Sequence, residues 1–264
     1  MLDRRTLLVG GMAMACTRRL PPAPSAAPPT VRLGWRLVPG QRLTWLCTQE
    51  RTIDTRTERR QERWTYLVER MRPDGTAVVR GQLTGFGAEL FLNKRRVDDA
   101  SLALPRWMAE RDTPASVTFL IGLNGRLHSL DTPDFAHRLP HLMLDTVLPA
   151  APVAPGSQWE DRSLVLPFQH VVPIGLPLRP SGQTTLATMP TPDRPDVVVM
   201  EHQASLTTTD DGPSVHLVGS TAWNLVMGVP LRRQHRVTPE PAIPQAGVLD
   251  VTIQLLGPDD PNNR

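Results

Sequence analysis

The sequence predicts a mainly β protein of antiparallel strands, on three observations. Short runs rich in β-branched and aromatic residues recur along the chain, as strands prefer. Turn sequences of the hairpin kind separate them. Near the C-terminus, Leu249, Val251, Ile253 and Leu255 alternate with Asp250, Thr252 and Gln254, the period-two pattern of a half-buried strand.

The elements follow in order. Residues 64–68 (Trp-Thr-Tyr-Leu-Val) lead through Pro73-Asp74-Gly75 into residues 76–79 (Thr-Ala-Val-Val), which predicts a hairpin. Residues 117–121 (Val-Thr-Phe-Leu-Ile) meet Asn124-Gly125, the strongest short-range hairpin signal, before the chain returns through 126–128. Asp210-Asp211-Gly212 separates 204–209 from 215–218 in the same way. Helical signal is sparse. Over 134–147, Phe135, Leu139, Leu142, Met143 and Val147 fall near one face, but Pro140 interrupts them and predicts a kinked helix or two short ones. Residues 101–111, around Trp107 and Met108, add a short helical piece.

Two passages parallel each other. Val38-Pro39-Gly40-Gln41-Arg42-Leu43 matches Ala154-Pro155-Gly156-Ser157-Gln158-Trp159, and Pro73-Asp74 and Pro192-Asp193 follow at similar distances, each before a valine-rich run. The expected organisation is a β domain at 31–256 made of two similar modules, 31–130 and 152–238. A helical connector at 131–150 joins them, and 257–264 is a disordered tail.

At 264 residues the chain can bury a real core, and its 40% apolar and 21% charged fractions are those of a folded protein. Proline is abundant, at 28, and Lys94 is the only lysine. The net charge is +3, and removal of residues 1–15, with Arg4, Arg5 and Asp3, leaves +2. So small a charge gives little of the long-range field that nucleic-acid binding needs. Aromatic residues are only 5% of the chain, with Tyr66 the single tyrosine, too few for a stacking platform. No nucleic-acid partner is expected.

The N-terminus reads as an address. Arg4 and Arg5 precede an apolar run from Leu7 to Ala15 and then Cys16, the parts of a secretory signal peptide spanning 1–15. The run is too short for a permanent membrane helix, which needs about 20 residues. Ala13-Met14-Ala15-Cys16 resembles a bacterial lipobox, which implies a diacylglyceryl group on the Cys16 sulfur, fatty acylation such as palmitate, and cleavage before Cys16. Residues 3–8 (Asp-Arg-Arg-Thr-Leu-Leu) also resemble a twin-arginine export signal. The two readings are compatible; a plain cleaved signal followed by an incidental cysteine is the alternative.

Each buried CH₂ of an acyl chain is worth about 0.8 kcal/mol, so two chains anchor a protein stably. Residues 16–30 then form a lipidated, proline-rich tether. At about 3.1 Å per residue in polyproline II it reaches roughly 40 Å. The lipoprotein resemblance, with Thr17 rather than aspartate after the cysteine, implies the periplasmic side of the outer membrane in a host that has one. With Cys16 lipidated, Cys47 has no partner for a disulfide. On a strand it shares a face with Leu43 and Trp45, so a buried, inert thiol is expected.

Pro155-Gly156-Ser157-Gln158-Trp159, with Gly219, Trp223 and Gly228 later, resembles uncharacterised bacterial exported and lipoprotein families. The resemblance implies a strongly curved antiparallel sheet, similar to the half-barrel of outer-membrane lipoprotein carriers. It implies no functional residue.

Catalytic and cofactor motifs are absent from the sequence. No Gly-x-Ser-x-Gly elbow, Walker A loop or dinucleotide glycine pattern occurs. His137 and His141 have zinc-ligand spacing on a helix, but Arg138 stands where a metallopeptidase has glutamate, and Pro140 disturbs the helix. They read as surface or packing histidines, and no catalytic, cofactor-binding or metal-ligating residue is assigned. Glu201-His202 and Asp98-Asp99 read as isolated, Asp210-Asp211 as part of a turn. The stretch 51–63 mixes five arginines with Asp54, Glu58 and Glu62, and reads as a solvated strand pair or loop. Asn93-Lys94-Arg95-Arg96 reads the same way.

The functional expectation is a non-enzymatic cell-envelope lipoprotein, held to the membrane by its N-terminal lipid, whose curved sheet offers an apolar concavity to a lipid or other hydrophobic ligand. The alternative is a structural or assembly module that binds an envelope protein, for instance by adding a partner strand at a sheet edge. A hydrolase assembled from distant Ser, His and Asp is the third reading.

Overall fold

A computed structural model describes residues 28–97, 116–130, 146–161, 164, 178–208, 214–240 and 247–257. Twelve strands run through them: β1 (Arg42–Ile53), β2 (Arg56–Met71), β3 (Ala77–Leu92), β4 (Arg95–Arg96), β5 (Ser116–Ile121), β6 (Leu127–Leu130), β7 (Gln158–Glu160), β8 (Leu178–Thr188), β9 (Val197–Thr208), β10 (Ser214–Asn224), β11 (Val229–Glu240) and β12 (Val248–Leu255). All belong to one antiparallel sheet, ordered β6-β5-β3-β2-β1-β12-β11-β10-β9-β8-β7, with β4 paired to β3 beside this path. The sheet is open: β6 and β7 end it and do not pair with each other. The expected mainly β, antiparallel class is therefore the observed one. No α-helix occurs among the described residues.

Sequence alternation sets the faces. In β9, Val198, Met200, His202, Ala204 and Leu206 are buried, while Glu201 and Gln203 are exposed. In β12, Leu249, Val251 and Ile253 point inward, as their spacing predicts. The inner faces share one core that runs from Phe119 on β5 to Leu186 on β8, near opposite ends of the strand order. Trp35 and Arg36, adjacent in the chain, bond the β5–β6 and β10–β11 turns respectively, which lie far apart in the strand order, so the sheet bends around its inner face. Register shifts at Arg63/Trp64, Val68/Arg70, Leu120/Ile121, Leu186/Thr188 and Ala222/Trp223 supply local twist for that bend.

Each expected hairpin that can be compared is present. The turn at 72–76 joins β2 to β3, and that at 122–126 joins β5 to β6. Gly75 and Gly125 take φ of 81° and 84°, the left-handed conformation these turns need. The Asp210-Asp211-Gly212 turn, the helical expectations at 101–111 and over 131–145, His137, His141 and Asp98-Asp99 lie outside the described residues, as does the tail beyond Gly257. At the end of the proposed connector, residues 146–150 are irregular chain.

The segment before β1 is extended but joins the ladder nowhere. Val31 exchanges backbone hydrogen bonds with Val153 at 2.9 Å each way. Trp35 N–H then donates to Leu123 O at 2.9 Å, and Arg36 N–H to Gly228 O at 3.2 Å. The segment thus crosses the turn end of the sheet from the approach to β7, past the β5–β6 turn, to the β10–β11 turn. Leu33, Trp35 and Leu37 face inward, and Trp35 meets Trp223 edge to face at 5.1 Å.

Candidate functional site

Among the described residues the inner face is apolar except in two places. The larger lies on β8 to β11, where Thr184, His202, Thr221, Arg233 and His235 are buried with Thr146 and Asp161 from the adjoining loops. The register assembles them: Thr184 pairs with His202, His202 with Gly219, and Gly219 with His235 in one row. In the next row Thr221 pairs with Arg233. Burying so many polar groups is costly unless each is hydrogen-bonded.

Most of them are, in a chain with a single direction. Arg233 Nε–H donates to Thr221 Oγ1 at 3.0 Å, and Nη2–H donates to Thr146 Oγ1 at 2.5 Å. At the other end, Thr184 Oγ1–H donates to Asp161 Oδ2 at 3.2 Å. Its one hydroxyl hydrogen thus committed, Thr184 accepts from His202 Nδ1–H at 2.9 Å. Burial, and then the charge of Arg233, hold His202 well below the usual histidine pKa of 6.5, so the ring is neutral at pH 7. Its Nε2 is therefore an acceptor and takes the hydroxyl hydrogen of Thr221 at 2.7 Å. The hydrogen bonds run from the Arg233 guanidinium through Thr221, His202 and Thr184 to the Asp161 carboxylate, with His202 protonated on Nδ1.

His235 is the exception. It is 3% exposed, and neither ring nitrogen has a hydrogen-bond partner. Burial, Arg233 and then His202 push its pKa well below 6.5, so this ring is neutral too. A neutral imidazole carries one donor and one acceptor, and leaving each unmet in a core costs about 1–3 kcal/mol. Gly219 makes room for the ring: a Cβ there would stand 2.3 Å from His235 Cδ2 and 2.2 Å from Gln234 O.

The second polar place is on β2. Glu58 and Glu62 are 3% and 4% exposed on the inner face. Trp64 Nε1–H donates to Glu62 Oε2 at 2.9 Å, Arg60 forms an ion pair with Glu62, and Arg56 pairs with Glu58 at 2.8 Å. The Arg60 guanidinium also lies over the Phe86 ring, 5.1–5.3 Å being the range of both such contacts on this hairpin. This corrects the expectation for 51–63. The stretch is the expected strand pair, but the period-two phase of β2 that buries Trp64 and Tyr66 also turns Glu58 and Glu62 inward.

Arg4, Arg5 and Cys16 lie outside the described residues. Cys47 is buried and free on β1, opposite Glu62 and Ile253, and burial, then the Glu62 charge, push its thiol pKa far up. That is the inert thiol expected. Asn93 to Arg96 form an exposed turn and the short β4. His202 is not the isolated histidine that Glu201-His202 suggested; it is the middle of the buried chain. Arg233 and His235 were not singled out, although both occupy inward positions of β11 in phase with the buried Val237. A charged or imidazole side chain in an apolar phase was the available signal.

Thr221, His202, Thr184 and Asp161 have the order of a nucleophile, a base and its orienting groups. All four are 0% exposed. Among the described residues, surface clefts of about 380–480 Å³ open at Trp35, at Ser205 and at Asp74, and none of these is lined by any of the four. Among the described residues no group of three or more His, Cys, Asp or Glu could hold a metal ion.

No protein-family model matches the chain. No curated protein matches it either. Solved structures with a likeness to it include the following two. One is a Bacteroides fragilis protein described as exported, with a YmcC-like fold: 9% identity, 85% of this chain and 98% of that one covered, TM-score 0.29. The other is DynF from the dynemicin biosynthesis pathway of Micromonospora chersina: 9% identity, 94% and 93% covered, TM-score 0.25. Both TM-scores lie below the value that marks a shared fold.

Proposed function

We propose that this chain is an exported, membrane-tethered envelope protein with a binding role, whose bent sheet takes an apolar ligand bearing a polar or anionic head. The observation that supports the ligand is His235. Its two buried, unmatched ring nitrogens stand beside a buried guanidinium, where a carboxylate or phosphate head would find both charge and a donor. The surrounding inner face supplies the apolar lining, as small-molecule sites generally do. Export and the anchor rest on Arg4, Arg5 and Cys16.

The test is gentle extraction of the native protein, followed by mass spectrometry of co-purifying lipid and titration with a fluorescent fatty acid and its methyl ester. The acid is expected to bind more tightly than the ester, and His235→Phe to remove that preference while the protein stays folded. A native protein free of lipid, with no affinity for either probe, would overturn the proposal.

One observation favours a second reading, an assembly module for an envelope protein. Trp35, Trp45, Trp64 and Trp223 are at most 2% exposed, and such large side chains occupy space on the inner face that a ligand would need. A filled face leaves the short edge strands, β6 and β7, as places for a partner strand. Crosslinking in the native host that traps a constant partner, from protein that carries no lipid, would favour this reading.

A further inference from the structure

Six large apolar side chains are conspicuously exposed among the described residues: Val38, Leu92, Leu123, Val218, Val226 and Met227. Leu92 and Val218 stand on strands, apart from one another. The other four, 60%, 51%, 59% and 40% exposed, gather at one end of the sheet, where the segment before β1 crosses the turns. Leu123 is the tip of the β5–β6 turn, and its carbonyl holds Trp35 N–H. Val226 and Met227 are the β10–β11 turn, held to Asn224 Oδ1 by their own N–H groups at 2.9 and 2.8 Å. Arg36 N–H binds Gly228 O, and the Arg36 guanidinium reaches Val226 O at 3.5 Å. Val38 follows two residues later.

Single exposed apolar residues are ordinary; four on three neighbouring segments mark a contact surface. Its charge says which kind. Arg32, Arg36, Arg72, Arg126 and Arg194 are exposed around it, against Asp74, Asp193 and Asp196. Apolar tips ringed by net positive charge suit the interface of an anionic bilayer, where each arginine near the surface contributes on the order of 1 kcal/mol. The path of the chain agrees. Pro28 to Thr30, exposed, enter at this same end of the sheet through the Val31–Val153 pair.

We infer that this end of the sheet is a membrane-contact face: Val38, Leu123, Val226 and Met227 dip into the headgroup region of an anionic bilayer, with Arg32, Arg36 and Arg126 at the phosphates. It rests on the tethered-envelope reading and adds an orientation to it. The face stands the sheet on the bilayer by its turn end.

The experiment is hydrogen–deuterium exchange on the full chain from its native host, with and without vesicles of phosphatidylglycerol and phosphatidylethanolamine, beside vesicle flotation and intact mass. The amides of 122–126 and 225–228 are expected to exchange several-fold more slowly with vesicles. The 93–94 turn at the opposite end should not change. Leu123→Asp with Val226→Asp should remove the protection, and Leu92→Asp with Val218→Asp should leave it. If the chain floats with vesicles but neither turn is protected, the contact face is wrong and the anchor stands. If the turns are protected in a chain whose mass shows no lipid, the face stands and the anchor is wrong. A chain that neither floats nor shows protection overturns both.

Discussion

His202 on β9 and His235 on β11 belong to strands that do not pair, yet their rings meet edge to face at 5.3 Å across β10. The residue between them in register is Gly219, and its missing side chain is the space in which the rings touch. Gly219→Ala is expected to destabilise the fold by about 1–3 kcal/mol through overpacking. The double variant Gly219→Ala/His235→Ala should recover part of that loss. Urea unfolding of the four proteins in a double-mutant cycle measures the coupling, and simple additivity would refute the contact.

Both rings are held neutral in the folded protein, and this gives stability a pH dependence of fixed sign. Their folded pKa values lie below 6.5 and their unfolded values near it, so below that pH the unfolded chain binds more protons. The stabilisation is whole above pH 6.5 and falls away as pH drops through 6 towards 5. Denaturation midpoints at pH 7.5 and 5.5 should show the loss, and His235→Phe should lessen it. A midpoint that is flat over this range in the wild-type chain would contradict neutral burial.

Thr184 is the link between a histidine and a carboxylate. Thr184→Val keeps the shape and removes the hydroxyl, taking away the acceptor of His202 Nδ1–H and one hydrogen bond to Asp161. The expected cost is about 1–3 kcal/mol by thermal or chemical unfolding. Thr44→Val is the comparison, since its hydroxyl bonds only Thr65 Oγ1 in a part-buried place, and it should cost much less.

Trp35 is 2% exposed, and its indole N–H has no hydrogen-bond partner. Its contribution is therefore packing, chiefly against Trp223. Trp35→Ala should cost about 3–5 kcal/mol, as large-to-small changes in a core do. Trp35→Phe, which also removes the unmatched donor, should cost far less. Equal losses in the two variants would mean that the N–H has a partner after all.

Cys47 gives a chemical check on the core. In a Cys16→Ser chain its thiol should stay unmodified by an aromatic disulfide reagent in buffer and react at once in denaturant. Fast native reaction would mean that β1 or its cover opens readily.

The strands and hairpins could be read from the sequence because their signals are local. Alternation marks a face at Leu249 to Leu255, and Asn124-Gly125 marks a turn whatever the rest of the chain does. The bend of the sheet and the pairing of β1 with β12 depend on residues some two hundred positions apart, which no local pattern encodes. The polar chain was illegible for the same reason: Thr184, His202, Thr221 and Arg233 become neighbours only through three strand pairings. His235 and Glu62 did carry a local trace, a polar residue in an apolar phase. That trace is faint because 51–63 and 231–236 look merely charged unless alternation is followed through them.

The segment before β1 decides how the domain meets mechanical load. A pull from the N-terminus arrives first at the two Val31–Val153 hydrogen bonds, then at Trp35 and Arg36, and only afterwards at the ladder of β1. Those first bonds are few, whereas β1 is held by β2 from Arg42 to Ile53 and by β12 from Trp45 to Thr52. The crossing segment is thus a clasp and not a loose strap: Leu33, Trp35 and Leu37 belong to the core, so a pull must draw apolar side chains out of burial before it loads β1.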